Sequence, residues 1–496
     1  MSTSPDRRQF MGAVSLAGLS GLVPAGAPAA PSAPPAGVPT TQEQGGGSPA
    51  ATGVTRALAR YVVNARWADI PEPVRKEGRR TLLNWMGCAV GGSRHETLDA
   101  AIGALAPFSG PAQASVLGRR ERLDILHASL MNGISSHVFD FDDTHLKTVI
   151  HPAGPVVSSL LALAEHRPQS GADFLHAMIL GIEVECRIGN AVYPAHYDRG
   201  WHITGTAGVF GSAAACGKAL GLSEQQMVWA LGLAATQPVG LREMFGSMTK
   251  SFHPGRAAQN GLTAALLAAK NFTCTEVGLE GKSGWANVLS TARNYDEITG
   301  ELGRHYEISL NTYKPFACGI VIHPTIDACI TLRNQHQLQA AQIERIELGV
   351  HPLVLELTGK KTPQTGLETK FSVYFAAALA IVRGSAGMRD FSDANAQDPV
   401  IVGLRDRVTA TVDPAVEEHQ VKARVTLKDG RTLSHTVEHV VGSLERPMTD
   451  ADLEGKFLDL AQGVLPDAQA RRLLDLCWKV EGLANVAELP KAAVPA

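Results

Sequence analysis

Within fifteen residues, His137-Val-Phe-Asp140-Phe-Asp142-Asp143-Thr-His145-Leu-Lys-Thr-Val-Ile-His151 sets three carboxylates beside three imidazoles, and Pro152 follows directly. Titratable groups this close shift one another's proton affinity, which suits proton transfer and is out of place in an ordinary surface loop. Phe139 and Phe141 alternate with the acids, and apolar segments, Leu123 to Ile134 and Val156 to Leu163, flank the run. The stretch therefore reads as the floor of an active site rather than a solvated face. Pro152 suits the first turn of a helix, which puts His151 at a helix N-terminus, a position that disfavours imidazolium and attracts an anion.

Two other chemistries use the same letters. His and Asp ligate first-row metals, but no two of these His residues have the i,i+4 spacing of a helical zinc pair, so the site is read without a metal. Asp140-Phe-Asp142-Asp143 also fits the D-x-D-D motif of terpene cyclases, whose cavities hold carbocations against aromatic rings. Phe, Trp and Tyr make up only 5% of this chain, which argues against that chemistry.

Three further clusters carry polar chemistry. Tyr197-Asp-Arg199-Gly200-Trp201-His202-Ile-Thr204 precedes an Ala/Gly-rich helix, and Gly246-Ser-Met-Thr-Lys250-Ser-Phe-His253-Pro-Gly255-Arg256 precedes another, read as Ala257 to Lys270. The third is Tyr313-Lys314-Pro-Phe-Ala-Cys318-Gly319-Ile-Val-Ile-His323. Cations near a helix N-terminus are what a carboxylate-bearing substrate needs. Together with the acidic stretch they point to a site for a small polycarboxylate.

The elements that must position these groups follow from the rest of the chain. At 496 residues it is long enough for two or three domains with substantial cores. Its net charge of −3 and 19% charged residues give no basis for nucleic acid or stable membrane association. Residues 1–30 read as a signal peptide, because Asp6-Arg7-Arg8-Gln9-Phe10-Met11 is a twin-arginine pattern ahead of a weakly apolar run and small residues. Periplasmic export is the expectation, with 31–53 as disordered linker. The seven cysteines are scattered without a C-x-x-C pair, so no disulfide framework is expected.

From residue 54 to 310 the pattern is helical. Pro71-Glu-Pro opens a helix that ends at Gly91-Gly92, Ser223-Glu-Gln-Gln226 is a capping box, and the Ala/Gly-rich segments predict closely packed helices. After Asn311 the texture changes. Ile343 to Val350 alternates as a strand, Thr369 to Arg383 is helical, and Val421 to Leu433 is a hairpin with an Asp429-Gly430 turn. Helical character returns from Thr449 to Leu476. The expected fold is mostly α: a large all-helical domain (54–310 and 445–496) with an inserted smaller α+β lid domain (311–444).

These residues resemble the MmgE/PrpD family, which includes 2-methylcitrate dehydratase, cis-aconitate decarboxylase and iminodisuccinate epimerase. The resemblance is carried by His137 to Pro152, Gly200-Trp-His202-x-Thr204-Gly, Lys250-x-x-x-x-Gly255-Arg256-Ala-Ala, Leu279-Glu280-Gly and Lys314-Pro-Phe-Ala-Cys-Gly. It implies a homodimer whose site lies between the domains and needs neither metal nor organic cofactor. It also implies Asp140, His151, His202 and Lys250 as catalytic residues and Lys314 as the lid-loop lysine; Arg256, Lys314, His145 and His323 are expected to bind substrate. Two departures from the decarboxylase pattern stand out: Gly319 replaces the family's active-site loop His, and one residue is inserted before His151. The first reading is a dehydratase acting on a relative of 2-methylcitrate by proton abstraction next to a carboxylate. Epimerisation, decarboxylation and non-catalytic carboxylate binding are the alternatives.

Overall fold

The computed structural model describes residues 53–495, so the twin-arginine segment and all but the last residue of the linker lie outside the described residues. The chain is mostly helical, with few and small sheets. Among the described residues, no helix is long and apolar enough to cross a membrane. All seven cysteines are free, and all except Cys274 are buried.

The first part of the chain is a stack of helices held at short range by small residues. Glu72–Gly92 begins after Pro71 and runs to the Gly pair, as its Pro-first, Gly-last pattern predicts. Ile125–His137 starts at Asp124, whose side chain accepts from the Leu126 and His127 amides. Ser223 and Gln226 form the reciprocal capping box ahead of Glu224–Ala235. Gly171–Val192 packs on Ile203–Leu220, and Thr249–Ala269 crosses both Ile203–Leu220 and Ile125–His137. At that last crossing the backbones touch: a Cβ on Gly133 would lie 2.4 Å from the Gly255 Cα.

The second part builds a four-stranded sheet in the order Val408–Val412, Ile343–Val350, Val421–Leu427, Thr432–Val437. The first pair is parallel and the other two are antiparallel. The hairpin turns at Asp429-Gly430, where Gly430 takes the left-handed conformation such a turn needs (φ 89°). His323–His336 and Val373–Arg383 pack against this sheet and each other, and their apolar side chains form one core with the strands. The chain then rejoins the first helices. Phe457 and Leu460 of Asp450–Ala461 lie against Gly87 and Gly91.

Two expected helices are broken, and both breaks have local causes. Between Gly366–Thr369 and Val373–Arg383 the Ser372 side chain accepts from the Phe375 amide and caps a new helix. Between Asp450–Ala461 and Asp467–Trp478 stand Gly463, at φ 82°, and Pro466.

The Gly133–Gly255 contact gives a direct test. Gly133→Ala forces the two helices apart, and overpacking of this kind costs about 1–3 kcal/mol. Denaturant unfolding should show a loss of that order, whereas Gly103→Ala, at a site open to solvent with nothing within 4 Å, should be neutral or slightly stabilising.

Candidate active site

His137 is the last residue of its helix, and the chain then turns sharply through Asp140, whose φ of 51° is left-handed. Asp tolerates that conformation better than most residues, and such strain concentrates at functional sites. The turn is fixed by lysines from distant parts of the chain. Lys370 donates to the Phe139 carbonyl, Lys314 to the Asp140 carbonyl (3.0 Å), and Lys456 to the Phe141 carbonyl (2.6 Å). Lys314 and Lys250 also both donate to Asp140 Oδ1, at 2.8 and 2.7 Å. Lys456 additionally bonds the Lys314 carbonyl at 2.9 Å and lies over the Phe141 ring. All four lysines are buried.

A two-residue antiparallel ladder, Thr144–His145 with Asn311–Thr312, brings Lys314 to the acidic stretch. Asn311 donates to Asp143 Oδ2 at 2.8 Å, and Asp143 Oδ2 also accepts from the Ala153 amide at 3.2 Å. The group at the N-terminus of Ala153–His166 is thus the protein's own Asp143 carboxyl, and His151 stands two residues before that helix. His151 Nδ1 bonds the Asp143 carbonyl at 2.8 Å, and its amide donates to Thr204 Oγ1 at 3.1 Å. His202 precedes Ile203–Leu220 and shares an Nδ1–Nδ1 hydrogen bond of 2.9 Å with His253. His137 Nδ1 bonds Asp142 Oδ2 at 2.7 Å. The ring centroids of His137 and His151 are 4.8 Å apart, and those of His151 and His202 6.3 Å.

Burial and charge divide these groups into two kinds. For Asp140, burial works to raise the pKa, but the ammoniums of Lys250 and Lys314 outweigh it and hold the carboxyl well below its usual range. For Asp142, burial again raises, and His137 and His151 more than offset it. For Asp143, burial and the charge of Asp142 push the pKa up to about 7. Burial lowers His151 to about 3 and His253 to about 4, and burial with the neighbouring His253 and Lys250 takes His202 well below its ordinary value. Lys370 is lowered by burial to about 7.

Of the groups described, Asp140, His151, His202, Lys250 and Lys314 line a cavity of about 440 Å³, together with His323 and others, whereas Asp142, Asp143, His253 and Lys370 do not. Neutral imidazoles beside ammoniums can move a proton at a carbon next to a bound carboxylate. Nitrogen atoms of His137, His151 and His202 also lie within 4.8 Å of one another, as do donor atoms of His137, Asp140 and Asp142, close enough to hold a metal ion. The two ammoniums on Asp140 oppose a further cation there.

The structure does not bring every expected residue to this cavity. The Lys250 segment is not a loop ahead of a helix but the first turns of Thr249–Ala269, with Pro254 inside it. Lys250 and His253 are neighbours at i,i+3 and both buried, whereas Arg256, a further three residues on, is exposed and bonded to Gln259 at 2.5 Å. Arg256 is therefore placed away from the cavity. His145 does not line it either: its Nδ1 bonds Thr148 at 2.7 Å and its Nε2 bonds Glu307 at 3.0 Å, so both ring nitrogens serve the fold. Asp140 holds two lysines rather than an imidazole, and in the acidic stretch the carboxylate bonded to an imidazole is Asp142. Lys370 and Lys456 carried no sequence signal, since each looks like a helix-surface lysine and meets the site only through the fold. His253 stood in a noted cluster, but only helical spacing from Lys250 could have marked it.

Models of the MmgE/PrpD N-terminal domain and of the MmgE/PrpD C-terminal domain match residues 56–298 and 316–480. The chain belongs to the MmgE/PrpD family. It is similar to cis-aconitate decarboxylase of Aspergillus terreus, 26% identical over 477 residues that cover 90% of this chain and 97% of the relative. The mouse cis-aconitate decarboxylase is 26% identical over 459 residues, covering 88% and 93%. The 2-methylcitrate dehydratase of Escherichia coli (strain K12) is 24% identical over 440 residues, covering 80% and 87%.

The buried lysine gives a pH test with a definite sign. Lys370, with its pKa lowered to about 7, is protonated below that pH and neutral above it. A dicarboxylate such as succinate should bind the cavity less tightly as pH rises through ~7, measured by calorimetry between ~pH 6 and ~pH 9. Lys370→Arg, which keeps its charge throughout, should remove the part of the fall that Lys370 causes.

Proposed function

We propose that this member of the MmgE/PrpD family is a lyase of the dehydratase type, acting on a small di- or tricarboxylate related to 2-methylcitrate. The observation that supports it is the pairing, on one cavity, of the Lys250 and Lys314 ammoniums with two imidazoles that burial keeps neutral. The ammoniums hold substrate carboxylates. One imidazole, His151 or His202, takes the proton from the carbon next to a carboxylate, and the carbanion's charge spreads into that carboxylate toward the ammoniums. The carbon–oxygen bond on the neighbouring carbon then breaks. The electron pair forms the alkene, and the leaving hydroxyl takes a proton from an imidazolium and departs as water. In this reading no metal or organic cofactor takes part. A homodimer and a periplasmic destination belong to the same proposal and rest on sequence alone.

Decarboxylation is the second reading, because the decarboxylase relatives align over more of this chain than the dehydratases do, 90% against 80%. There the same ammoniums would stabilise the charge left when carbon dioxide departs, and an imidazolium would protonate the carbon.

Proton NMR in deuterated buffer, with citrate, 2-methylcitrate, cis- and trans-aconitate, tartrates and malate as substrates, separates these readings. New alkene signals with loss of a hydroxyl-bearing carbon support dehydration. Loss of carbon dioxide from cis-aconitate would move the assignment to decarboxylation, and exchange at a stereocentre without an alkene would move it to epimerisation. Binding without any exchange would leave a carboxylate-binding protein. With the substrate so identified, Lys250→Ala should lower kcat by about 10²–10³-fold, the size expected for removing one charge-stabilising group. Near-full activity in that variant would overturn the role given to Lys250, and loss of activity on dialysis against a chelator would overturn the metal-free reading.

A further inference from the structure

The two sides of the cavity differ in chemistry. The acid, imidazole and ammonium groups lie together on the floor, whereas the wall contributed by the second part of the chain is apolar: Leu353, Leu357, Ile320, Val321, Val440 and Val441. Leu353 and Leu357 are one helical turn apart in Pro352–Thr358 and only partly buried, so their apolar surface faces the cavity without protein to cover it. A tricarboxylate of the citrate type presents oxygen on nearly every side and would leave this wall wet.

Gly319 adds room beside that wall. Its φ of −56° and ψ of 129° are open to any residue, so the backbone does not require a glycine. An added Cβ would approach Thr358 Cγ2 at 3.3 Å and the Lys370 carbonyl at 3.6 Å. Gly319 and Thr358 both line the cavity, so any side chain at 319 would press on that part of the wall. Farther out, Glu418 and Glu445 line the cavity, and their charges oppose another carboxylate at that end.

We propose that the preferred ligand is a carboxylate bearing an apolar substituent well beyond methyl, an alkyl chain of several carbons, laid along the Leu353–Leu357 wall while its carboxylates meet Lys250 and Lys314. This deepens the proposed function, on which it rests for the carboxylate end. The cavity volume of about 440 Å³ falls within the range of about 300–1,000 Å³ usual for ligands of that larger size.

The test uses unreactive ligands, so it does not depend on which reaction is catalysed. Succinate and 2-methyl-, 2-butyl- and 2-octylsuccinate are titrated calorimetrically into the full chain, with alkylamines of matching length as controls. Each methylene that enters the apolar wall should lower Kd roughly 3- to 5-fold, at least through butyl, while the amines show no such series. Leu357→Asp should flatten the series, and Gly319→Phe should make butyl bind no better than methyl; the first changes a side chain at the edge of the core and the second a position whose backbone any residue can adopt, and circular dichroism checks that both fold. A Kd that is constant or rises with chain length, no binding by any succinate, or an equal series for the amines would overturn the proposal. Failure of the proposed function reads out differently, as no chemistry in the NMR panel whatever the length dependence of binding.

Discussion

Three consecutive main-chain carbonyls, those of Phe139, Asp140 and Phe141, each accept a hydrogen bond from a buried lysine, and a fourth lysine shares the Asp140 carboxylate. The rest of the site depends on this arrangement. The four lysines come from positions 250, 314, 370 and 456, so the turn forms only when helices from both parts of the chain have met around it. Burying an ammonium is costly unless its donors are satisfied and a counter-charge is near. Asp140 supplies the charge for Lys250 and Lys314, main-chain carbonyls accept from Lys314, Lys370 and Lys456, and the left-handed turn at Asp140 is held in place by bonds on either side of it.

The same burial acts on the imidazoles with a different outcome. Burial lowers Lys250 too, but it begins with a high proton affinity and the Asp140 carboxylate opposes the loss, whereas His151 and His202 begin near neutrality and are driven well below it. One low-dielectric environment therefore yields fixed positive charges and proton acceptors within a few ångströms. Asp142 and Asp143 extend this division: adjacent in sequence and equally buried, they are pushed in opposite directions because only Asp142 faces imidazoles.

Much of this was legible from the sequence where the signal is local. The density of titratable groups between His137 and His151 marked the floor of the cavity, the capping box at Ser223 and the Asp-Gly hairpin at 429–430 formed where their turn chemistry placed them, and the family resemblance spans both matched domains. What was misread depends on context that one residue type cannot carry. Pro254-Gly255 looked like the end of a loop, yet the helix runs through it because Gly255 must touch Gly133; Arg256 then falls within the helix, where it is exposed. His145 has the composition of a site residue but finds Thr148 and Glu307 as partners. Lys370 and Lys456 act through backbone carbonyls more than 230 residues away, a relation that leaves no trace in local pattern.

The contact between Gly133 and Gly255 sets the spacing of His137 and Lys250, which lie on the two helices that cross there. A contact made of side chains varies as rotamers exchange on the picosecond to nanosecond scale, but two glycines have no rotamers to exchange. The crossing works as a ruler with no moving parts. Thermal motion can therefore rearrange the leucines and valines of the outer wall to suit different ligands, while the depth and separation of the charged floor stay set by a backbone-to-backbone contact.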